Sequence, residues 1–134
     1  METQDTAPCL EIRRIVFIDE QEVPEALETE GEGPHCLHYL TFLGNQPIGT
    51  LRITPKPDYA KVERVAILKE ARGTGAGAAL MRYVLSDLAK KGYSEARLGS
   101  QISAQGFYEK LGFEPFGEIF VDADIDHIMM KRAL

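Results

Sequence analysis

The spacing of apolar residues changes period along the chain, and the changes mark out its elements. Leu10, Ile12, Ile15, Val16 and Ile18 are spaced broadly as on a helix and predict one over Thr3 to Ile18, with Pro8 suited to its first turn. Pro24 to Glu28 allows a second short helix, ended by the breaker Gly31-Glu32-Gly33-Pro34. The pattern then turns strand-like. Cys36 to Leu43 and Pro47 to Thr54, joined by Gly44-Asn45-Gln46, read as a hairpin. After the loop Pro55-Lys56-Pro57-Asp58, Val62 to Leu68 reads as a third strand whose apolar run, Val65 to Leu68, suits a buried position. Gly73 to Lys91 is the strongest helix. Gly77, Leu80, Met81, Val84, Leu85 and Leu88 form one stripe, and Lys90-Lys91-Gly92 supplies a basic last turn and a glycine stop. Glu95 to Gly99 reads as a strand, and Ala104 to Leu111 as a helix stopped by Gly112. Phe113 to Val121 and Asp126 to Lys131 read as two strands around Asp122-Ala123-Asp124. Helices, strands, helix, strand, helix, strands: the order predicts a mixed α/β domain. A length of 134 residues predicts a single domain over 1–134.

Composition removes several classes. Hydrophobic residues make up 44% and charged residues 27%, which excludes a disordered chain. Fifteen basic against 21 acidic side chains give a net charge of −6, which argues against nonspecific nucleic-acid binding. No apolar run approaches the roughly 18 residues of a membrane helix. The start, Met1-Glu2-Thr3-Gln4-Asp5, has no signal-peptide character, so a soluble cytoplasmic protein is expected. Cys9 and Cys36 make no disulfide framework there and lack the basic neighbours of a reactive thiol. His35 and His38, on a strand, would point to opposite faces, so no metal site is expected. Asp122, Asp124 and Asp126 lack the glycine and terminal glutamate of a calcium loop and read as a charged hairpin.

The most informative segment runs from Val65 to Gly77: an apolar strand, a short turn, Arg72-Gly73-Thr74-Gly75-Ala76-Gly77, then the long helix. Glycines let backbone N–H groups approach a ligand, and a helix's first turn offers unpaired donors with partial positive charge. Together they suit a phosphate or pyrophosphate, with Arg72 as a charged donor; a tight glycine-rich turn without a ligand is the plainer alternative. The loop is no P-loop, since no Gly-Lys-Ser/Thr follows. A Rossmann reading survives only through Ala78 in the third glycine's place, and no convincing acidic partner stands ~20 residues on.

Arg72-x-x-Gly75-x-Gly77 after an apolar strand resembles the acyl-CoA pyrophosphate loop of the GNAT superfamily of N-acetyltransferases. Gly106-Phe107-Tyr108-Glu109-Lys110-Leu111-Gly112-Phe113 is similar to that family's Y-x-x-L/N-G-F segment. Arg13-x-x-Val16-Phe17-x-x-Glu20-Gln21 and Asp126-His127-Ile128-x-Met130 look like its small bacterial single-domain branch, so the resemblance covers nearly the whole chain. It implies an α/β (α+β) mixed sheet with N-terminal helices, antiparallel strands and splayed central strands. The family's first strand is expected to be missing or reduced, because Met1 to Ala7 is polar; Cys36 to Leu43 would then be the sheet's edge.

The resemblance implies acetyl-CoA as co-substrate, an amine acceptor, no metal, no nucleic-acid or membrane partner, and leaves a homodimer open. By the same resemblance, Val65, Ala66 and Ile67 would pair their backbone with the pantetheine arm. An N–H of Val65 or Ala66 would hold the thioester oxygen. Gly73, Thr74, Gly75, Ala76, Gly77 and Ala78 would wrap the pyrophosphate, with Arg72 beside them. Tyr108 would protonate the departing thiolate, or simply pack as a helical aromatic. A base is needed because free amines are protonated at neutral pH. His127 is a candidate by type: with Met129 it would face one side, while Ile128 and Met130 face the core. Glu63, acting through a water, and Glu20 are rivals. Arg13, Glu20 and Gln21 are the candidate acceptor-binding residues, though Arg13 equally suits an ion pair. A catalytically weak acyl-CoA-binding module and a Rossmann-like nucleotide domain stand as the other readings.

Overall fold

A computed structural model of the chain describes residues 1–20, 35–122 and 124–134. In chain order the elements are β1 (Glu2–Thr3), α1 (Ala7–Arg13), β2 (Leu37–Leu43), β3 (Gln46–Pro55), β4 (Ala60–Ile67), α2 (Ala76–Lys90), β5 (Glu95–Gln101), α3 (Gln105–Glu109), β6 (Glu114–Asp122) and β7 (Ile125–Ala133). The strands form one sheet in the order β1-β2-β3-β4-β5-β7-β6, antiparallel throughout except between β4 and β5. A sheet with one parallel pair is not the doubly wound Rossmann arrangement, which removes that alternative. No helix among the described residues is long and apolar enough to cross a membrane.

Alternation along the strands sorts side chains onto two faces. Tyr39, Leu51, Ile53, Val62, Leu98 and Met130 meet the α2 stripe, where Leu80, Met81, Val84, Leu85 and Leu88 are all buried as the spacing predicts. Each such side chain contributes about 1.5–3 kcal/mol relative to exposure. On the opposite face, Cys9, Ile12 and Val16 of the N-terminal helical segment pack on Leu40, Ala66 and Leu68. β3 lies between these layers and is buried from Ile48 to Thr54.

Two departures concern the N-terminal segment. The helix begins at Ala7, not Thr3, because Asp5 Oδ1 accepts the Ala7 N–H at 3.1 Å and the chain before it is extended. It then widens from α to π over Arg14–Glu20. The first strand is present but reduced. Glu2 pairs with Tyr39 and Thr3 with His38, so β2 is not the sheet's edge along these residues. Two residues are too few to show a period, which is why polar composition masked them. The short helix expected at Pro24 to Glu28, and its breaker, lie outside the described residues.

The feature that positions the site is the parting of β4 and β5. Their pairing covers only Ala60↔Ala96, Lys61↔Arg97 and Val62↔Leu98, although β4 continues to Ile67 and β5 to Gln101. A bulge on β4 accompanies it: Arg52 opposes Glu63 and Thr50 opposes Ala66, so Leu51 alone faces both Arg64 and Val65. Arg64 adopts φ +55°, a left-handed conformation costly for an L-residue, and the strand bends away from β5.

Candidate functional site

At the mouth of this parting, the chain leaves β4 through a short 3₁₀ turn, Lys69–Ala71, and enters the glycine loop. Arg72 folds back and donates from Nε to the Ile67 carbonyl at 3.0 Å, clamping the loop to the strand end. The Thr74 hydroxyl donates to the Ala71 carbonyl. Gly73 and Gly75 take φ +79° and +87°, and a Cβ built at either meets nothing within 4 Å among the described residues. These glycines serve conformation and leave the outer side of the loop open. The first bond of α2 runs from the Ala79 N–H to the Gly75 carbonyl at 3.0 Å. The N–H groups of Ala76, Gly77 and Ala78 precede that first bond, so helix geometry gives them no carbonyl within α2. They sit at the positive end of a fifteen-residue helix. Gly77 serves packing: a Cβ there would lie 3.4 Å from the Phe107 ring and 3.5 Å from Ile67 Cγ1. The start of α2, the end of β4 and α3 therefore converge at the opening between β4 and β5.

Val65, Ala66 and Ile67 line the β4 side. Ala66 is buried against the α1 layer, while Val65 and Ile67 pack on the larger core. Ala66 and Ile67 are paired with β3, and the pairing with β5 has ended at Val62. Tyr108, on α3, is buried between Phe107 (centroids 5.1 Å apart) and Phe113 (6.0 Å), both edge-on. Burial pushes its phenol up to about 12, so it is protonated across the physiological range.

The other face carries the remaining candidates. Glu63, the last β4 residue before the bulge, is half-buried. Its Oε1 accepts a hydrogen bond from the Thr54 hydroxyl and lies 3.3 Å from Arg52 Nη2; its Oε2 lies 3.6 Å from Lys61 Nζ. Burial pushes its pKa up, but the Thr54 hydroxyl and the charges of Arg52, Lys61 and Arg64 outweigh that and hold the carboxyl below its ordinary value. His127 follows the expected parity, with Ile128 and Met130 on the core side. Its Nδ1 lies 2.7 Å from the Ile125 carbonyl and its ring stacks on Phe120 at 5.6 Å. A ring nitrogen bonded to a carbonyl is the protonated one, which leaves Nε2 as the acceptor. In register, His127 stands opposite Gln101, two positions beyond Gly99.

Arg13, the last residue of α1, is 1% exposed. Glu20 closes the π-helical stretch, and Gln21 lies outside the described residues. His35 lies in a turn ahead of β2 and is exposed, whereas His38 is buried on the strand. The two are separated by more than the strand parity that the sequence suggested. Among the described residues no group of three or more His, Cys, Asp or Glu is placed to hold a metal. Cys9 and Cys36 are buried, and burial raises the Cys9 thiol pKa.

Sequence reasoning missed the row His38, Arg52 and Thr54. The signal was present: Thr50, Arg52 and Thr54 alternate with Leu51 and Ile53. On a strand buried on both faces, that alternation places a polar row indoors.

Comparison with known proteins agrees with this geometry. The family model described as Acetyltransferase (GNAT) domain matches residues 7–134. The uncharacterized protein YyaT of Bacillus subtilis is 36% identical over 133 residues, covering 97% of this chain and 90% of its own length. Among solved structures, an acyl-CoA N-acyltransferase from Pseudomonas aeruginosa superposes with a TM-score of 0.83 at 28% identity, covering 92% of this chain and 87% of that one. An aminoglycoside 6′-N-acetyltransferase complexed with coenzyme A superposes with a TM-score of 0.79 over 99% of this chain and 95% of that one; at 16% identity it shows the fold alone.

Proposed function

Because this chain belongs to the GNAT family of acetyl-CoA-dependent acetyltransferases, we propose that it transfers the acetyl group of acetyl-CoA directly to a primary amine of a small molecule. The observation that carries the reading is the parting of β4 from β5 with a glycine-and-helix anion cradle at its mouth. The backbone edges of Val65, Ala66 and Ile67 fit an extended pantetheine arm. The N–H groups of Ala76, Gly77 and Ala78 fit its pyrophosphate. A coenzyme A complex of a protein with this fold supports the assignment.

Each residue then has a defined task. The amine nitrogen attacks the thioester carbonyl carbon, and an N–H of Val65 or Ala66 stabilises the charge that develops on the carbonyl oxygen. The carbon–sulfur bond breaks, and the departing thiolate takes the Tyr108 phenol proton. With its pKa near 12, Tyr108 holds that proton until then. A free thiol titrates near 8.5, so the transfer is favourable only if the sulfur is desolvated too; the apolar surroundings of Tyr108 supply that setting. The amine's own proton leaves to His127 Nε2, or to water held by Glu63. Glu63, kept anionic, suits holding an ammonium or a water better than retaining a proton.

The test mixes the protein with acetyl-CoA and a panel of amino acids, polyamines and aryl-alkyl amines while free thiol is followed. Thiol release with at least one amine, and a matching acetylated product, is expected. Tyr108→Phe should cut the turnover rate about 10²-fold or more with acetyl-CoA affinity unchanged. Full activity in that variant refutes the acid role. Tight acetyl-CoA binding with no transfer to any amine would make the protein a binding module.

A further inference from the structure

Charged side chains inside a sheet require a reason. Arg52 is 1% exposed on β3, and desolvating a guanidinium costs several kcal/mol unless it is well paired. A buried ion pair seldom repays that cost in stability, so Arg52 is poorly explained as a staple. Its placement suggests a different task. Register sets Arg52 directly opposite Glu63, with His38 opposite Arg52 on the next strand out. Two buried groups, Arg52 Nη2 and the Thr54 hydroxyl, converge on the same oxygen, Glu63 Oε1. The second oxygen, Oε2, lies 3.6 Å from Lys61 Nζ, on a partly exposed side chain. Immediately after Glu63 comes the bulge at Arg64, where β4 leaves β5. The β5 position that follows the last register pair is Gly99, whose missing side chain leaves its place to the Phe120 ring and the Met129 sulfur, 3.4 and 3.6 Å from where a Cβ would lie.

We propose that Arg52 is a positioning residue: with Thr54 it locks Glu63 Oε1 against β3, so that Oε2 is the oxygen presented to the acceptor's ammonium where β4 parts from β5. The proposal rests on the reading that the acceptor amine enters on this face. Among the described residues, the charged groups acting on Glu63 are Arg52 from β3 and Lys61 and Arg64 from β4, with His38 of β2 opposite Arg52 in register and His127 farther out on β7. The cations keep Glu63 charged, and the lock keeps its charge aimed.

The experiment follows the Glu63 carboxyl carbon by NMR in protein carrying ¹³C-labelled glutamate, with Glu63→Gln assigning the signal. Wild type, Arg52→Gln, Arg52→Lys and Thr54→Val are titrated without cofactor. Arg52→Gln should raise the Glu63 midpoint by about one unit or more, Thr54→Val should raise it less, and Arg52→Lys should restore most of the wild-type value. In the thiol-release assay, the acid limb of kcat/KM should move by the same amount, and KM for the best panel amine should rise about tenfold while KM for acetyl-CoA holds. Thr54→Val keeps the buried guanidinium and serves where Arg52→Gln fails to fold. A Glu63 midpoint unmoved in Arg52→Gln and Thr54→Val overturns the lock. A shifted midpoint with an unshifted acid limb and amine KM makes the pair merely structural and overturns the proposal too. If no amine is acetylated at all, the proposed function fails, while the titration still decides whether Arg52 governs Glu63.

Discussion

Replacing Gly75 by alanine separates two roles of one residue. Gly75 caps α2 at φ +87°, where an L-residue costs about 1–2 kcal/mol. Alanine also removes unfolded-state freedom and returns roughly 0.4–1 kcal/mol. A built Cβ meets nothing within 4 Å among the described residues, so no clash adds to the balance. Net destabilisation is therefore about 1 kcal/mol. For 134 residues the unfolding entropy is about 0.28 kcal/mol per kelvin, so the melting temperature should fall by only about 4 °C. Binding should suffer more. The new methyl stands on the open side of the loop, where the proposed pyrophosphate would lie, and the following N–H groups turn with the backbone. One lost charge-assisted hydrogen bond is about 1.5–3 kcal/mol, or roughly 10- to 150-fold in affinity. Calorimetry with acetyl-CoA, beside a thermal melt of the cofactor-free protein, reads both quantities. A Gly75→Ala protein that melts a few degrees lower yet binds acetyl-CoA as tightly as wild type would show that this loop does not hold the pyrophosphate.

Three further outcomes follow from the packing and the charges. Gly49→Ala places a Cβ 2.5 Å from Ile67 Cδ1 and 2.9 Å from Thr41 Cγ2, so chemical denaturation should show a loss of about 1–3 kcal/mol. Neither Cys9 nor Cys36 should react with a disulfide reagent in the native protein, and both should react after denaturation; this also keeps a thiol-release assay clean. Glu63 has a folded pKa below its ordinary value, so its stabilising share is complete above about pH 4.5 and is lost as pH falls through the folded value. The stability gap between wild type and Glu63→Gln should therefore be flat from pH 7 to 5 and should close in stronger acid; a gap that widens there would contradict the ion-pair geometry.

Local signals in the sequence carried local structure. The α2 stripe, the glycine loop and the parity of His127 each depend on residues within a few positions of one another, and each is legible as spacing. What joins distant segments was not legible. Arg52 and Glu63 lie eleven positions apart and meet only through the β3–β4 register. That register includes a bulge whose left-handed residue, Arg64, bears no glycine or asparagine to advertise it. The widening from α to π over Arg14–Glu20 leaves no distinct hydrophobic period. Tyr108 shows the division within one residue: its motif announced it, but its depth depends on Phe113 closing over it from beyond the helix.

The parting of β4 and β5 also sets how force and fluctuation travel through the molecule. Among the described residues, three register pairs form the backbone seam between the β1–β4 half of the sheet and the β5–β7–β6 half. Side-chain packing and the connection through α2 also join the halves. An extended acyl-pantetheine lying along β4 would act as missing rungs, turning an open zipper into a closed one. Acetyl-CoA should then slow amide hydrogen exchange most at Val65 to Ile67 and Gly99 to Gln101, with β2 and β6 little changed. In such a molecule the co-substrate completes a mechanical unit, and its concentration tunes stiffness through the affinity that governs turnover.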